Sequence, residues 1–133
     1  MMAAIVALDI GLKRIGVAYS PDAKTAVPLK AILRKNRNQA ANEVKALLEE
    51  WQPEKVVVGI PLGGSSEDEM KRRIEHFMKL VNFDGEVCYQ DESGTSLEAK
   101  ELMKGKMRHV KDGRVDSIAA MLILERFINS KLT

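Results

Sequence analysis

Three acidic positions in this chain could do chemistry together: Asp9, the Asp91-Glu92 pair and Asp116. Asp9 closes the apolar run Ala3-Ala4-Ile5-Val6-Ala7-Leu8, the pair follows Glu86-Val87-Cys88-Tyr89-Gln90, and Asp116 opens onto the apolar stretch from Ile118 to Leu124. Carboxylates are rarely set at the edge of apolar structure unless something pairs with them, because an unpaired buried charge is costly. Brought together by a fold, the three repel one another, and a divalent cation with hard oxygen ligands relieves that repulsion. Each also has a duller role open to it. Asp9 could cap the turn into Gly11, Glu92 could accept backbone bonds in a loop, and Asp116 could favour a first helical turn through the dipole. The three in this arrangement favour a metal site.

The rest of the composition limits what such a site could act on. A chain of 133 residues fits one domain spanning 1–133, with room for a proper core but not for two lobes closing on a cleft. No apolar stretch approaches the ~20 residues a membrane-spanning helix needs, and the N-terminus does not read as a signal peptide, so the expectation is a cytoplasmic protein with no membrane partner. The single cysteine, Cys88, reads as a small strand hydrophobe. The net charge of +2 hides a segregation. Lys30, Arg34, Lys35 and Arg37 form one basic run; Lys104, Lys106, Arg108, Lys111 and Arg114 form a second, diluted only by Asp112. Segregated basic surface attracts phosphate backbones through counterion release, and the second run leads directly into Asp116.

The elements that must position these groups follow from periodicity. Residues 3–9 read as a fully buried strand, Ile15 to Tyr19 as a second and Val27 to Leu33 as a third, with turns short enough for an antiparallel meander. Ala40, Val44, Leu47, Leu48 and Trp51 fall at helical spacing, with Pro53 just past the end. A short buried strand, 55–59, comes next. Ser66 and Glu69 have capping-box spacing ahead of a second apolar stripe, Met70, Ile74, Phe77, Met78 and Val81. Residues 86–90 give a fifth strand. Thr95 with Glu98 is another capping-box candidate before a short helix to Met103, and Asp112 or Gly113 opens a last, well-buried helix. His76 is expected to be partly exposed, and His109 lies in the basic loop. The pattern is α/β: one mixed sheet with helices on both faces.

The stretches Leu8-Asp9-Ile10-Gly11-Leu12-Lys13-Arg14-Ile15-Gly16-Val17-Ala18, Val57-Val58-Gly59-Ile60-Pro61-Leu62, Asp91-Glu92 with Thr95-Ser96 and Glu98-Ala99, and Val115-Asp116-Ser117 through Ile123-Leu124-Glu125 resemble the YqgF (RuvX) family. Its members are small bacterial proteins of the ribonuclease H-like fold, named as Holliday junction resolvases and as pre-16S ribosomal RNA nucleases. The resemblance covers nearly the whole chain in the family's order. It implies a five-stranded mixed sheet, a three-strand antiparallel meander plus parallel strands, and a catalytic set of Asp9, Glu92 and Asp116, with Asp91 adjacent as a further metal ligand. The family's Asp-Glu pair is normally followed by Arg and an aliphatic residue. Here Ser93 and Gly94 stand there, removing a cation whose role is either lost or supplied by another basic residue such as Arg14 or Lys111.

Phosphodiester hydrolysis requires an activated water in line with the leaving oxygen and neutralisation of the phosphate, which two Mg²⁺ or Mn²⁺ ions supply. Asp9, on the central strand, is the expected bridging ligand, with Glu92 and Asp116 completing either side. Gly11 is expected to bring the chain close to the site. Lys13, Arg14, Lys106, Arg108, Lys111 and Arg114 are the expected nucleic-acid contacts. The implied function is a metal-dependent phosphodiester hydrolase acting at the 5′ end of pre-16S ribosomal RNA, leaving a 5′-phosphate. The partner is then precursor RNA or branched DNA, and the protein a monomer or homodimer. Two other readings remain: a Holliday junction resolvase, and a non-catalytic nucleic-acid-binding module that would bind no metal at the three carboxylates. The Asp9, Gly11, Gly16 pattern also resembles the phosphate loop of the actin and sugar-kinase superfamily, whose two related lobes do not fit in one domain.

Overall fold

A computed structural model describes residues 4–61, 67–103 and 113–132. Its elements in chain order are β1 (Ile5–Ile10), β2 (Arg14–Ser20), β3 (Val27–Leu33), α1 (Arg37–Trp51), β4 (Lys55–Ile60), α2 (Glu67–Val81), β5 (Glu86–Asp91), α3 (Thr95–Met103) and α4 (Arg114–Leu132). The strands form one sheet in the order β3-β2-β1-β4-β5. The first three run antiparallel in sequence, while β4 lies parallel to β1 and β5 parallel to β4. The expected mixed sheet is therefore present, with β1 at its centre.

Both faces are covered, which explains why β1 and β4 read as continuous apolar runs rather than alternating ones. Val6, Leu8 and Ile10 of β1 pack with Val56 and Val58 of β4 against Val44 and Leu48 of α1 and Ile74 and Phe77 of α2. On the other face Ile5 and Ala7 join Ala18 and Val57 beneath Ala120, Ile123, Leu124 and Phe127 of α4. Each fully buried Val, Ile or Leu contributes roughly 1.5–3 kcal/mol, so the two layers fix the sheet between them. The last helix is buried along one side, while Arg114, Glu125, Asn129 and Ser130 are exposed. Cys88 is half-buried and packs at the margin of the α4 layer, and His76 is exposed. Among the described residues no helix is long and apolar enough to cross a membrane.

Several boundaries differ from the sequence reading for local reasons. Asp9 does not end its strand: β1 continues to Ile10, and Asp9 pairs with Gly16 of β2. Gly11 serves the turn itself, its N–H donating to the Arg14 carbonyl at 3.0 Å. Helix α1 starts earlier than its apolar stripe, at a capping box in which Asn36 accepts from the Gln39 N–H at 2.8 Å and Gln39 accepts from the Asn36 N–H. Asn36→Ala is expected to cost about 1 kcal/mol, read as a lower urea midpoint with an unchanged slope. The Thr95 hydroxyl is not used as a cap; it donates to the Glu92 carbonyl at 2.8 Å. Of the other proposed box, Ser66 lies outside the described residues and Glu69 pairs with Arg73.

Candidate active site

Alternation along the strands decides which carboxylates share a face. On the α4 side of the sheet β1 presents Ile5, Ala7 and then Asp9, while β2 presents Ala18 and Gly16, and β4 presents Val57 and Gly59. Asp9 is thus flanked by a glycine on each neighbouring strand. Both glycines are needed for close approach. A methyl group at position 16 would overlap the backbone carbonyl of Asp116, so β2 accepts the first turn of α4 only because Gly16 has no side chain. Gly16 also sits where the β2–β3 register shifts, a bulge of the kind that re-aims a neighbouring group. Beside it the Ser117 hydroxyl accepts from the buried Val17 N–H at 3.1 Å, pinning the helix start. On the other flank, a Cβ at Gly59 would stand 2.9 Å from Glu92 Oε2 and 3.1 Å from Glu92 Cβ. The glutamate therefore reaches over β4 through space that Gly59 leaves open. Its backbone is held by its own N–H donating to the Ile60 carbonyl at 2.9 Å and by the Thr95 N–H donating to its carbonyl at 3.0 Å.

The result is an electrostatic concentration at the carboxyl ends of the parallel strands, where open α/β sheets place their ligands. Burial, a hydrogen bond with the Glu92 side chain, and the charges of Glu92 and Asp116 together push the Asp9 carboxyl from 3.8 up to about 8. Every one of these influences acts in the same direction. Two carboxyl groups in hydrogen-bonding contact cannot both stay ionised, and the upward shift favours the protonated form of Asp9 at neutral pH. The third carboxylate, Asp116, accepts from Arg14 Nε at 2.7 Å, with both side chains about one-third exposed (32% and 29%). Among the described residues no group of three or more His, Cys, Asp or Glu side chains is gathered closely enough in this structure to hold a metal ion. The arrangement sets Asp9 against Glu92, with a third carboxylate, Asp116, held to one side by an arginine. Its donors are all hard oxygens, the set that suits Mg²⁺ or Mn²⁺, and a bound cation would take the proton's place.

The other expected site residues fall in different places. Asp91 belongs by alternation to the opposite face, with Val87 and Tyr89, and its Oδ1 accepts from both the N–H and the hydroxyl of Ser93, at 2.9 and 2.7 Å. Lys13 is exposed in the β1–β2 turn and Arg114 is exposed at the start of α4. Arg14 is occupied by Asp116. Lys106, Arg108 and Lys111, like His109, lie outside the described residues.

The sequence reading missed Ser117, the part played by Gly59, and Arg126. A lone glycine inside the apolar strand Val57-Val58-Gly59-Ile60 is itself a signal of close backbone approach. Arg126 carries no such signal, being one of several charges on a helix. It donates to the Asp91 carbonyl at 3.3 Å and to Glu98 Oε1 at 2.8 Å, tying the end of β5 and helix α3 to α4. Arg126→Met is expected to lower stability by at most about 1 kcal/mol, because the pair is partly exposed, and to slow cleavage several-fold by loosening the segment that carries Glu92. Single-turnover rates and urea midpoints measured together test this; a slowed rate with an unchanged midpoint separates positioning from folding.

Comparison with known proteins shows the family and the fold. Residues 3–130 match the RuvX family, described as a Holliday junction resolvase. A Sulfurimonas denitrificans protein named "Putative pre-16S rRNA nuclease" is 59% identical over 126 residues, 95% of this chain and 97% of its own. A Sulfurovum protein of the same name is 58% identical over 125 residues, 94% of this chain and 98% of its own. Among solved structures, Thermus thermophilus RuvC in complex with a Holliday junction substrate superposes with a TM-score of 0.58 at 12% identity, covering 98% of this chain and 96% of that one. The fowlpox virus Holliday junction resolvase gives 0.57 at 17% identity, covering 96% and 99%. At such identities the likeness is one of fold, a five-stranded mixed sheet of the RuvC/ribonuclease H-like kind. With a match over residues 3–130 and relatives at nearly 60% identity, the chain belongs to the RuvX family.

Proposed function

We propose that this chain is a metal-dependent nuclease that hydrolyses phosphodiester bonds in the 5′-end processing of pre-16S ribosomal RNA. The names of its relatives at 59% and 58% identity point to that substrate. The observation that carries the chemistry is the approach of Glu92 and Asp116 to the buried Asp9 carboxyl, which pushes that carboxyl up to about 8. Carboxylates gathered in this way repel one another, and a cation taking the proton's place would relieve the repulsion. Asp9 and Glu92 are the primary ligands of this reading, with Asp116 as the third and Asp91 as support to the segment rather than as a ligand. When bound, Mg²⁺ or Mn²⁺ ions lower the pKa of a water and neutralise the phosphate. Asp9, from the central strand, fixes the ligand position with least backbone motion, and Gly16 and Gly59 keep its two partners within reach. Arg14 holds Asp116 at 2.7 Å and sets a positive charge beside it for an entering phosphate.

The test incubates the protein with precursor 16S RNA and, separately, with a four-way DNA junction, in Mn²⁺, Mg²⁺ or EDTA, with Asp9→Asn as the contaminant control. The reading expects RNA cleavage that EDTA and Asp9→Asn both abolish. Preferential cutting of the junction would favour the resolvase reading that the family's description carries. Equal cutting by wild type and Asp9→Asn would remove the site altogether.

A further inference from the structure

The first basic run of the sequence is not used by the carboxylate site, and the fold gives it a shape. A cavity of about 330 Å³ opens between α1, α2 and the β1–β2 turn, on the face of the sheet away from Asp9. Arg34, Arg37 and Arg73 line it over a floor that includes Ile74 and Phe77, and none of the described lining residues is acidic. Arg34 is fixed: its Nη1 donates to the Gly11 carbonyl at 2.6 Å and its guanidinium lies 5.1 Å from the centre of the Phe77 ring. Arg37 is the first residue of α1, whose first turn holds no acidic residue, so its charge stands at the positive end of the helix dipole. Burial and the Arg37 charge both push Arg34 below the ordinary guanidinium value. Arg73 has a partner in Glu69 at 2.7 Å, but both side chains are more than half exposed and such a pair holds little. Like charges gathered in a concavity of this size suit an anion, and planar guanidinium forks suit phosphate oxygens.

The position of the cavity names the anion. Its wall is the turn Gly11–Leu12, which follows directly from Asp9, and three residues span at most about 10 Å. A strand lying at the carboxylates and crossing this turn would next meet Arg34, whose Nη1 bonds the Gly11 carbonyl. Leu12, 70% exposed on that turn, offers an apolar surface to a sugar or base on the way. We infer that the Arg34–Arg37–Arg73 cavity is a phosphate subsite that holds the backbone of the nucleic-acid substrate outside the cut site. The inference rests on the reading that the substrate is a nucleic acid, and not on whether the carboxylates cut it.

The experiment measures binding, not cleavage. Fluorescence anisotropy of a labelled single-stranded RNA is followed in EDTA across a range of salt for wild type, Arg37→Ala/Arg73→Ala, and a control of equal charge change, Lys45→Ala/Lys79→Ala. Each lost phosphate contact on a single strand should reduce the slope of log affinity against log salt by about 0.7, so the arginine double variant should lose roughly 0.7–1.4 in slope and the lysine control nothing. Equal slopes in all three proteins, equal losses in both variants, or no salt-dependent RNA binding by wild type would each overturn the subsite. Inorganic phosphate, titrated while the arginine side-chain N–H signals are followed by NMR, gives a second arm. Phosphate shifts at Arg37 and Arg73 with an unchanged RNA slope would make this a small-anion site and overturn the backbone assignment. Failure of the nuclease reading would show instead as absent cleavage with the slope difference intact.

Discussion

Asp9→Asn is expected to reduce cleavage by on the order of 10³-fold while leaving the metal-free chain at least as stable as wild type at pH 8. Loss of the central oxygen ligand removes the charge that holds a cation, whereas asparagine keeps the shape and a polar contact with Glu92. The stability half of the prediction follows from linkage. Asp9 titrates at about 8 in the folded chain against an ordinary value of 3.8. Between those values the native state holds a proton that the unfolded chain has released, so stability must fall as pH rises. This contribution is fully present below about pH 4, drains away toward pH 8 and is gone above, a loss on the order of a few kcal/mol. Asparagine has no proton to lose, so the variant should show a flatter profile across the same window. Urea midpoints in EDTA from pH 4 to about 9 measure it. A cation should reverse the wild-type slope by taking the proton's place, so Mn²⁺ at pH 8 should raise the wild-type midpoint and leave the variant's nearly unchanged. A wild-type profile flat in EDTA, or a variant that cuts normally, would contradict the assignment.

How much of this was legible beforehand depended on whether the signal was local. The sheet was readable because each strand carries its own evidence: unbroken apolar runs at 5–8 and 56–58, short polar turns, and a switch to helical spacing at Ala40. The carboxylates were readable as types in sequence, and Asp9 and Asp116 did come to one place. What separated Glu92 from Asp91 was a period-two alternation set by neighbours on β4, which places Asp91 with Tyr89 on the far face. What fixes Asp116 is a helix crossing a strand at Gly16, a contact a hundred residues apart in sequence. Gly11 illustrates the converse. It reads as a close-approach glycine beside Asp9, yet what it admits is the Arg14 carbonyl of its own turn, 2.8 Å from where a Cβ would stand, and the approaches that bring in Asp116 and Glu92 fall at Gly16 and Gly59. Arg126 and the arginine cavity were illegible for the same reason, since their partners come from elements far apart in the chain.

Those two glycines give the sharpest separation between folding and chemistry. Gly59→Ala would set a methyl group 2.5 Å from Ile123 Cδ1 and 2.9 Å from Glu92 Oε2, and both are ends of side chains that can rotate away. The fold should absorb this at a cost of about 1–2 kcal/mol, but the glutamate that moves is the one paired with Asp9. Cleavage should therefore fall by roughly 10²-fold, and the Asp9 carboxyl should relax downward as its partner withdraws. Gly16→Ala meets backbone instead, the Asp116 carbonyl and the Ser117 N–H, neither of which can rotate aside without shifting the start of α4. That helix covers a whole face of the sheet, so the cost should be about 3 kcal/mol or more, with the Val17–Ser117 hydrogen bond lost as well. Urea midpoints and single-turnover cleavage, measured on both variants, should place Gly59→Ala low in rate with the smaller loss of stability, and Gly16→Ala low in both. A Gly59→Ala protein that cuts at the wild-type rate would mean that Glu92 does its work from some other position, and the site would have to be rebuilt around Asp9 and Asp116 alone.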